Sequence, residues 1–456
     1  MSFDVPSQSI LINFDRPGSE GSTIFTSENI SAVDVISVPE GWEVVSVDMY
    51  EKRITVKSPA SFDDKEVRSG TITLKVYTPS GESKSVEIYV AILANEDIDF
   101  RTAPANCYIA TQPNTRYLFD PYTGGENTDV VTSYIELIWQ TSADIIKYLD
   151  INDEFASFFV EEVMDDNDEP TGKLKPGNAL IGGYSESGDL LWTWHIWVTN
   201  SNPEADVITL NGKQMMNVNL GADCNSAGEQ DAELIERSYG MYYQWGRRTP
   251  LVGPNNWNFS LNYDKILYNK ENYSVVKLEY VESDATTGSV EWAESNPLAI
   301  VLGNKDNGYD WLSGAHDNTL WNAESKSDHD PCPAGWRLPD SSVFAGLTID
   351  GVDDAMKWEE AQGMYGWHLL DSATGGVYFF TAQGRRNYLD GRLDIVNDDE
   401  ERPIPWSGYY WSVTVAGDDA SAMFFDLNSA TRTWNGFDAA RAMHRANAMP
   451  VRCVRE

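Results

Sequence analysis

The chain has 456 residues, of which 33 are Lys or Arg and 71 are Asp or Glu, for a formal net charge of −38. A chain this acidic argues against nucleic acid as a partner, because affinity for nucleic acid depends on neutralising phosphates with basic side chains. Hydrophobic residues make up 41% and aromatic residues 12% of the chain, which suits several β-rich domains. No run approaches the roughly 20 apolar residues of a transmembrane helix.

The first strands are predicted between the N-terminus and residue 97. Apolar and polar side chains alternate at 72–76 and again at 86–92, and the sequence TPSG at 78–81 between these runs is a turn signal. Such alternation predicts a β-hairpin. The pattern is typical of an immunoglobulin-like (Ig-like) β-sandwich, which we place at residues 1–97.

A polar segment at 96–104 ends in Pro and is predicted to be a linker. Residues 98–204 are expected to form a second β-rich domain, closing with the run DLLWTWHIWVT at 189–199. Both faces of this run are mostly apolar, so it predicts a buried central strand in which His195 packs into the core. The acidic sequence at 165–170 is interpreted as a solvated turn, with a cation site as the alternative, since it lacks the Gly and distal Glu of an EF-hand.

From about residue 205 the apolar runs shorten, and long loops rich in Gly, Asn and Trp separate them. Helices are predicted at 340–347 and 352–362, with Ser341 and Ser342 as the cap. No fixed-period repeat is present, which argues against a solenoid or a propeller. The expected class is therefore mainly β, with an α+β C-terminal part at 205–456.

Ordered sequence elements in this last part carry a resemblance to a known family. They are NVNLGA (217–222), GMYYQWGR (240–247), DPCPAGWRLP (330–339), GYYWS (408–412) and VRCVR (451–455). In this order they resemble the Fibrobacter succinogenes major paralogous domain family, although Val413 stands where the family usually has a second Ser. The NCYI opening and LWTWHIWVT close of residues 101–204 are similar to the segment that precedes this domain in surface proteins of the Bacteroidetes.

The resemblance implies an exported, often lipid-anchored protein of the cell surface or outer membrane, with a C-type-lectin-like fold at 205–456. In such a protein we expect a disulfide between Cys332 and Cys453, and the chain-entropy model gives so long a loop roughly 4–5 kcal/mol. Cys107 and Cys224 either form a second pair or stay reduced. The first residues lack the basic and apolar regions of a secretion signal, so the interpretations are a removed signal or a cytoplasmic protein.

Aromatic and acidic side chains near the predicted loops are the candidate ligand-binding residues. Sugar C–H faces stack on aromatic rings, and carboxylates accept hydrogen bonds from hydroxyls. The candidates are Trp406, Tyr409, Tyr410, Trp411, Asp418, Asp419, Trp245 and Arg247. A core strand is the alternative for the Tyr-Tyr-Trp element, and structural ion pairing is the alternative for Arg247 and Arg248.

Asp306, Asn307 and Asp310 are the candidate metal ligands, because calcium binds side-chain oxygens. A second set combines imidazole with carboxylate. It consists of His316, Asp317, Asp328, His329 and Asp330. Solvated loops are the alternative for both sets, and we expect no cofactor other than calcium.

The sequence contains no G-x-S-x-G, H-E-x-x-H or phosphate-loop motif. We therefore expect a non-enzymatic cell-surface protein for adhesion or ligand binding, with a glycan or a host or cell-surface protein as partner. One alternative is a pilus or fimbria tip subunit that pairs with other subunits by strand addition. A carbohydrate-active enzyme is the least favoured alternative.

Overall fold

The computed structural model describes residues 2–5, 9–11, 18–60, 69–92, 96–167, 169–227, 231–253, 266–269, 275–349, 366–394, 407–428 and 433–456. Within these ranges the chain is mainly β, as its sequence predicts, and its helices are short. The predicted helix at 352–362 lies outside the described residues.

The N-terminal region is an Ig-like β-sandwich. Its strands are β1 (Ser2–Asp4), β2 (Ser9–Leu11), β3 (Glu20–Ile24), β4 (Thr26–Glu28), β5 (Ala32–Ser37), β6 (Glu43–Asp48), β7 (Arg53–Lys57), β8 (Ser69–Tyr77) and β9 (Ser83–Ala91). One sheet has the order β2-β9-β8-β5 and another β3-β7-β6, while β1 pairs with β4. The predicted hairpin is confirmed, with Tyr77 opposite Ser83. Its alternating apolar residues are buried in the core, since successive side chains of a strand point to opposite faces.

A second set of strands begins at residue 96. These are β10 (Glu96–Asp99), β11 (Cys107–Ala110), β12 (Thr115–Phe119), β13 (Thr123–Gly124), β14 (Thr128–Asp129), β15 (Tyr134–Gln140), β16 (Lys147–Ile151), β17 (Ala156–Val160), β18 (Glu162–Met164), β19 (Pro170–Leu174), β20 (Gly177–Tyr184) and β21 (Leu190–Val198). One sheet has the order β10-β12-β17-β16, and a large aromatic and aliphatic core forms beside it.

The C-terminal region contains shorter strands and the helices. The strands are β22 (Val207–Leu210), β23 (Lys213–Met216), β24 (Tyr243–Gln244), β25 (Leu267–Tyr268), β26 (Val275–Val276), β27 (Glu279–Val281), β28 (Ala299–Val301), β29 (Trp336–Arg337), β30 (Leu347–Thr348), β31 (Gly366–Asp371), β32 (Val377–Thr381), β33 (Arg385–Arg386), β34 (Leu393–Asp394), β35 (Gly408–Ala416), β36 (Asp419–Asn428), β37 (Thr433–Met443), β38 (Ala448–Met449) and β39 (Val454–Arg455). The α-helices are α1 (Ala232–Arg237) and α2 (Val290–Ser295), and 3-10 turns occupy Lys305–Asn307 and Ser341–Phe344.

The predicted central strand is confirmed as β21, which lies between β11 and β20. Trp194 on one face and Trp197 on the other are completely buried in two different cores. His195 is also buried, with Nε2 2.9 Å from Asn178 Oδ1 and Nδ1 3.4 Å from Tyr243 OH. It is therefore the packed core residue that the sequence predicts.

The prediction of a linker at 96–104 is wrong in its first half. Residues 96–99 form β10, which pairs in parallel with β12. Arg116 on β12 donates to both carboxylate oxygens of Asp97, so the polar side chains of the segment serve strand pairing. Parallel strands are not joined by a hairpin turn, so the sequence around 96–99 contains no turn signal that would reveal this pairing.

The core continues across residue 205, where we predicted a domain boundary. The sheet that contains β21 has the order β11-β21-β20-β15-β25-β26, so two strands of the C-terminal region extend it. One apolar cluster joins Leu180 and Trp197 with Met241, Trp411 and Met449. Residues on both sides of position 205 thus share one hydrophobic interior.

The chain end is fixed by a disulfide. Cys332 and Cys453 are bonded across a sequence separation of 121, which confirms the expected bridge. Beside it, β39 lies between β23 and β29 and closes a sheet ordered β22-β23-β39-β29. Cys107 and Cys224 are not bonded to each other. The helix predicted at 340–347 is a 3-10 turn at Ser341–Phe344, and its cap is Asp340 rather than the serines.

Candidate functional site

The predicted aromatic ligand residues of β35 belong to the core. Tyr410 and Trp411 have no exposed surface, and Tyr409 is 3% exposed. The Tyr410 hydroxyl donates to Thr381 O and the Trp411 indole N–H donates to Tyr243 O, so the polar edges of these rings are used inside the fold. The ligand-binding prediction for these three residues is therefore wrong, and the core-strand alternative holds. Trp406 lies outside the described residues.

Trp245 and Arg247 are likewise buried and are not available to a ligand. The Trp245 indole N–H donates to Ser412 O. The Arg247 guanidinium donates to the carbonyls of Ala293 and Ala299, in addition to Gln244 Oε1. Its partners are thus mainly backbone carbonyls rather than the carboxylates that the ion-pairing alternative implied. Burial lowers the pKa of Arg247 to about 10.

The two acidic clusters that the sequence analysis treated separately meet on one surface. The loop around the 3-10 turn Lys305–Asn307 approaches the tight turn between β35 and β36. Gly308 has a φ of +61°, and a Cβ at this position would lie 3.1 Å from the Cβ of Asp418. The positive φ favours glycine here, and a Cβ would force the Asp418 side chain to shift slightly. This close approach places Asp310 and Asp418 on either side of His316.

His316 contacts both of these carboxylates. Its Nδ1 lies 2.8 Å from Asp310 Oδ2, and its Nε2 lies 3.4 Å from Asp418 Oδ1. The Asp310 side chain is almost fully buried, whereas that of Asp418 is 79% exposed. Burial raises the pKa of Asp310, although the hydrogen bond from His316 opposes the shift. The imidazole therefore joins a buried acid to an acid that faces solvent.

A second histidine–aspartate pair lies next to the first. His444 follows β37, and its Nδ1 lies 2.8 Å from Asp419 Oδ1. The His444 ring packs against Tyr388 with a centroid distance of 4.4 Å and against Tyr309 at 5.0 Å. Tyr309 and Tyr388 meet edge to face at 4.9 Å. All three rings are partly exposed, so they form an aromatic surface beside the carboxylates.

We call these residues the histidine–aspartate face: Tyr309, Asp310, His316, Tyr388, Asp418, Asp419 and His444. Beneath the face, Arg445 is buried, with Nη1 3.9 Å from Asp310 Oδ2 and the guanidinium 4.5 Å from the Trp245 ring centroid. Its charge partly offsets the carboxylates above it. The face thus offers hydrogen-bond acceptors and ring surface together, which is the chemistry of a polyhydroxylated ligand.

The candidate metal ligands do not form a joint site. Asp310 accepts from His316 and from the Leu312 N–H, while the Asn307 amide donates to Leu312 O. Asp306 is exposed. Among the residues that the structure describes, no group of three or more His, Cys, Asp or Glu side chains is arranged to hold a metal ion. The described residues thus give no support to a joint site of Asp306, Asn307 and Asp310, and their binding of calcium stays a prediction.

The second predicted metal set is also divided. His329 Nδ1 lies 2.9 Å from Glu294 Oε1, and Glu294 also pairs with Arg248. Asp328 accepts from Thr128, and Asp330 is buried, where it accepts from two backbone N–H groups. These residues stabilise the junction with the second β region, whereas His316 belongs to the histidine–aspartate face.

Sequence reasoning identified part of this face and missed the rest. Asp310, Asp418 and Asp419 were candidates, and His316 was considered for metal binding. Tyr388 and His444 were not selected, because they are separated from the other residues in sequence and no local motif marks them. Tyr309 precedes the candidate Asp310 in the same aromatic and acidic segment, and its left-handed backbone, with φ of +60°, is known only from the structure.

Comparisons with known proteins identify no family. No protein-family model matches the chain, and no curated protein matches it. Among solved structures, a chimeric titin Z1Z2 carrying a decorin peptide is similar at 13% identity, covering 43% of this chain and 95% of that one, with a TM-score of 0.15. The D00-D0 domain of intimin is similar at 11% identity, covering 43% of this chain and 98% of that one, with a TM-score of 0.18.

A third similar structure is the Bacteroides ovatus mixed-linkage glucan utilization locus protein SGBP-B in complex with a heptasaccharide. It shows 10% identity over 42% of this chain and 43% of that chain, with a TM-score of 0.13. Scores this low carry no functional conclusion. Within the described ranges, no helix combines the length and apolar character needed to cross a membrane.

Proposed function

We propose that this is a non-enzymatic cell-surface binding protein that captures a glycan on the histidine–aspartate face. The observation that carries the proposal is the meeting of three partly exposed rings, Tyr309, Tyr388 and His444, with the Asp418 and Asp419 carboxylates. Rings pack against the C–H faces of a sugar, and carboxylates accept from its hydroxyls. Export is supported by the Cys332–Cys453 disulfide, since such bonds persist in oxidising compartments.

The remaining parts of the proposal follow from the same arrangement. The Ig-like sandwich and the second β region act as a support that holds the face away from the cell. The C-terminal region, for which we retain the C-type-lectin-like fold as a proposal, presents the surface that binds the ligand. A host or cell-surface protein that carries the glycan would be the natural partner.

A glycan array with the full chain tests this function. We expect Asp418→Asn to weaken binding by at least about tenfold, since a hydrogen bond to a charged group contributes roughly 1.5–3 kcal/mol. Tyr388→Ala should weaken it similarly by removing ring surface. Asp438→Asn is the matched control, because Asp438 is an exposed aspartate of β37 that lies farther along the same sheet.

Each array is run with calcium and with EDTA. We expect binding to survive EDTA, because rings and carboxylates make the contacts directly. Loss of binding in EDTA would contradict this mechanism and point to a metal-dependent one. No glycan binding in either condition, or equal binding by the wild type and the Asp418 and Tyr388 variants, would overturn the proposed function.

A further inference from the structure

A second candidate site lies at the junction between the second β region and the segment after α2. A groove of about 480 Å³ separates the tip of the β20–β21 hairpin from residues 295–299. We call it the hairpin groove. Its volume is within the range of clefts that hold small ligands, about 300–1,000 Å³. It shares no lining residue with the histidine–aspartate face.

One side of the groove presents apolar and aromatic surface. Tyr184 is stacked on Tyr134, with ring centroids 5.1 Å apart and planes inclined by 8°. This stacking fixes the orientation of the Tyr184 ring. Ile138, Leu190 and Leu298 add partly buried aliphatic surface around it. The wall is therefore a preformed surface against which the C–H face of a ligand can pack.

Polar groups are distributed along the edge of the same groove. Glu279 is exposed at the start of β27, and Asn296 ends α2. Asp189 accepts from the hydroxyls of Ser185 and Ser187, which hold its carboxylate in place. The lining includes two carboxylates and no Lys, Arg or His. An anionic ligand is thus disfavoured, while a ligand that donates hydrogen bonds is favoured.

The backbone of this wall is already paired. At the aromatic centre of the wall, Tyr184 of β20 is paired with Tyr134 of β15 on one side and with Leu190 of β21 on the other, so an extended peptide cannot pair with the backbone at this position. Recognition at Tyr184 must therefore come from side chains. An uncharged ligand with apolar faces and many hydroxyl donors fits both the aliphatic wall and the acceptors at the rim.

We propose that the hairpin groove is a second binding site, independent of the histidine–aspartate face, and that its ligand is a neutral oligosaccharide. Tyr184 and the aliphatic side chains contact the sugar ring, while Glu279 and Asn296 accept from its hydroxyls. Two sites on one chain would bind a polysaccharide with an avidity that neither site reaches alone.

The test uses the full chain and saturation-transfer NMR with neutral gluco-, manno- and galacto-oligosaccharides. Ser295→Trp places a bulky side chain in the groove from an exposed position at the end of α2. It is made in the Asp418→Asn background, in which the histidine–aspartate face is weakened, and should abolish the transfer signal that remains there. Its control is Ser80→Trp at the exposed turn of the Ig-like hairpin. Glu279→Gln should weaken binding about tenfold, whereas Glu282→Gln, an exposed glutamate outside the groove, should leave it unchanged.

The outcomes separate this site from the proposed function. Signal that survives Asp418→Asn but is lost when Ser295→Trp is added to that variant supports the hairpin groove. Signal lost only in Asp418→Asn overturns the groove and leaves the proposed function intact. No signal from any neutral oligosaccharide also overturns the groove, as does displacement of a bound sugar by a basic peptide but not by other neutral sugars.

Discussion

The buried imidazole of His195 makes a specific prediction about stability and pH. The Asn178 amide N–H donates to Gly221 O, so Asn178 Oδ1 faces His195 Nε2, which must carry the proton. His195 Nδ1 then accepts from Tyr243 OH. Burial lowers the pKa of His195 from about 6.5 to about 3, because the charged imidazole would lose its hydration in the core.

The sign and size of the effect follow from this shift. Above about pH 6.5 the imidazole is neutral in both the folded and the unfolded state, so its pKa shift does not affect the free energy of unfolding. As the pH falls from 6.5 toward 3, His195 is protonated in the unfolded chain but not in the folded chain, so the free energy of unfolding decreases. At pH 4.5 the loss amounts to about 3 kcal/mol, since each pH unit is worth about 1.4 kcal/mol.

The assay is urea unfolding followed by tryptophan fluorescence at pH 7 and pH 4.5. His195→Gln removes the titration and keeps an amide donor toward Asn178. The variant should lose about 3 kcal/mol less than the wild type between the two pH values, whatever its stability at pH 7. The carboxylates titrate equally in the wild type and the variant, so their contribution cancels when the two losses are compared. Equal losses in the wild type and the variant would refute the reasoning.

Three further changes test other parts of the structure. Cys332→Ser should lower the free energy of unfolding by about 4 kcal/mol, and the urea midpoint of the variant should not respond to reducing agent. A variant with the same urea midpoint as the wild type would contradict the entropic role of the disulfide. Burial alone would raise the pKa of Glu294, but Arg248 and His329 lower it to about 2. Glu294→Gln should therefore lower the free energy of unfolding by about 3 kcal/mol at pH 7, and this loss should shrink as the pH falls from 4.5 toward 2. A loss that stays constant with pH would show that the carboxylate charge is not its cause. Gly308→Ala should weaken glycan binding, because its Cβ would displace Asp418. Gly417→Ala, with a similar positive φ but nothing within 4 Å, should only destabilise the protein by about 1–2 kcal/mol; equal effects of the two variants on binding would count against the close approach.

Local patterns predicted the features that depend on local chemistry. The β8–β9 hairpin follows from alternation and a turn signal, and β21 follows from a run that is apolar on both faces. The family resemblance implied the Cys332–Cys453 bridge, and the structure contains it. These features are determined either by neighbours along the chain or by a recognisable motif.

Long-range pairing explains what the sequence did not predict. β10 pairs with β12 in parallel, and the polar residues of β10 resemble a linker until Arg116 is seen against Asp97. The aromatic residues of β35 were candidates for a ligand site because a Tyr-Tyr-Trp run suits both stacking and burial. Likewise, Tyr388 and His444 join the histidine–aspartate face only through folding.

The interior shared across residue 205 has a consequence for how this protein can be divided. A fragment that begins at residue 205 would leave Met241 and Trp411 without the facing side chains of Leu180 and Trp197, and β25 without its partner β15. Such a fragment should aggregate rather than bind, because a large apolar surface would face water. A fragment that keeps this interior together must therefore include the strands from β11 onward as well as residues 205–456. The Ig-like sandwich has a core of its own, and it contacts the second β region through the stacked rings of Tyr89 and Tyr148.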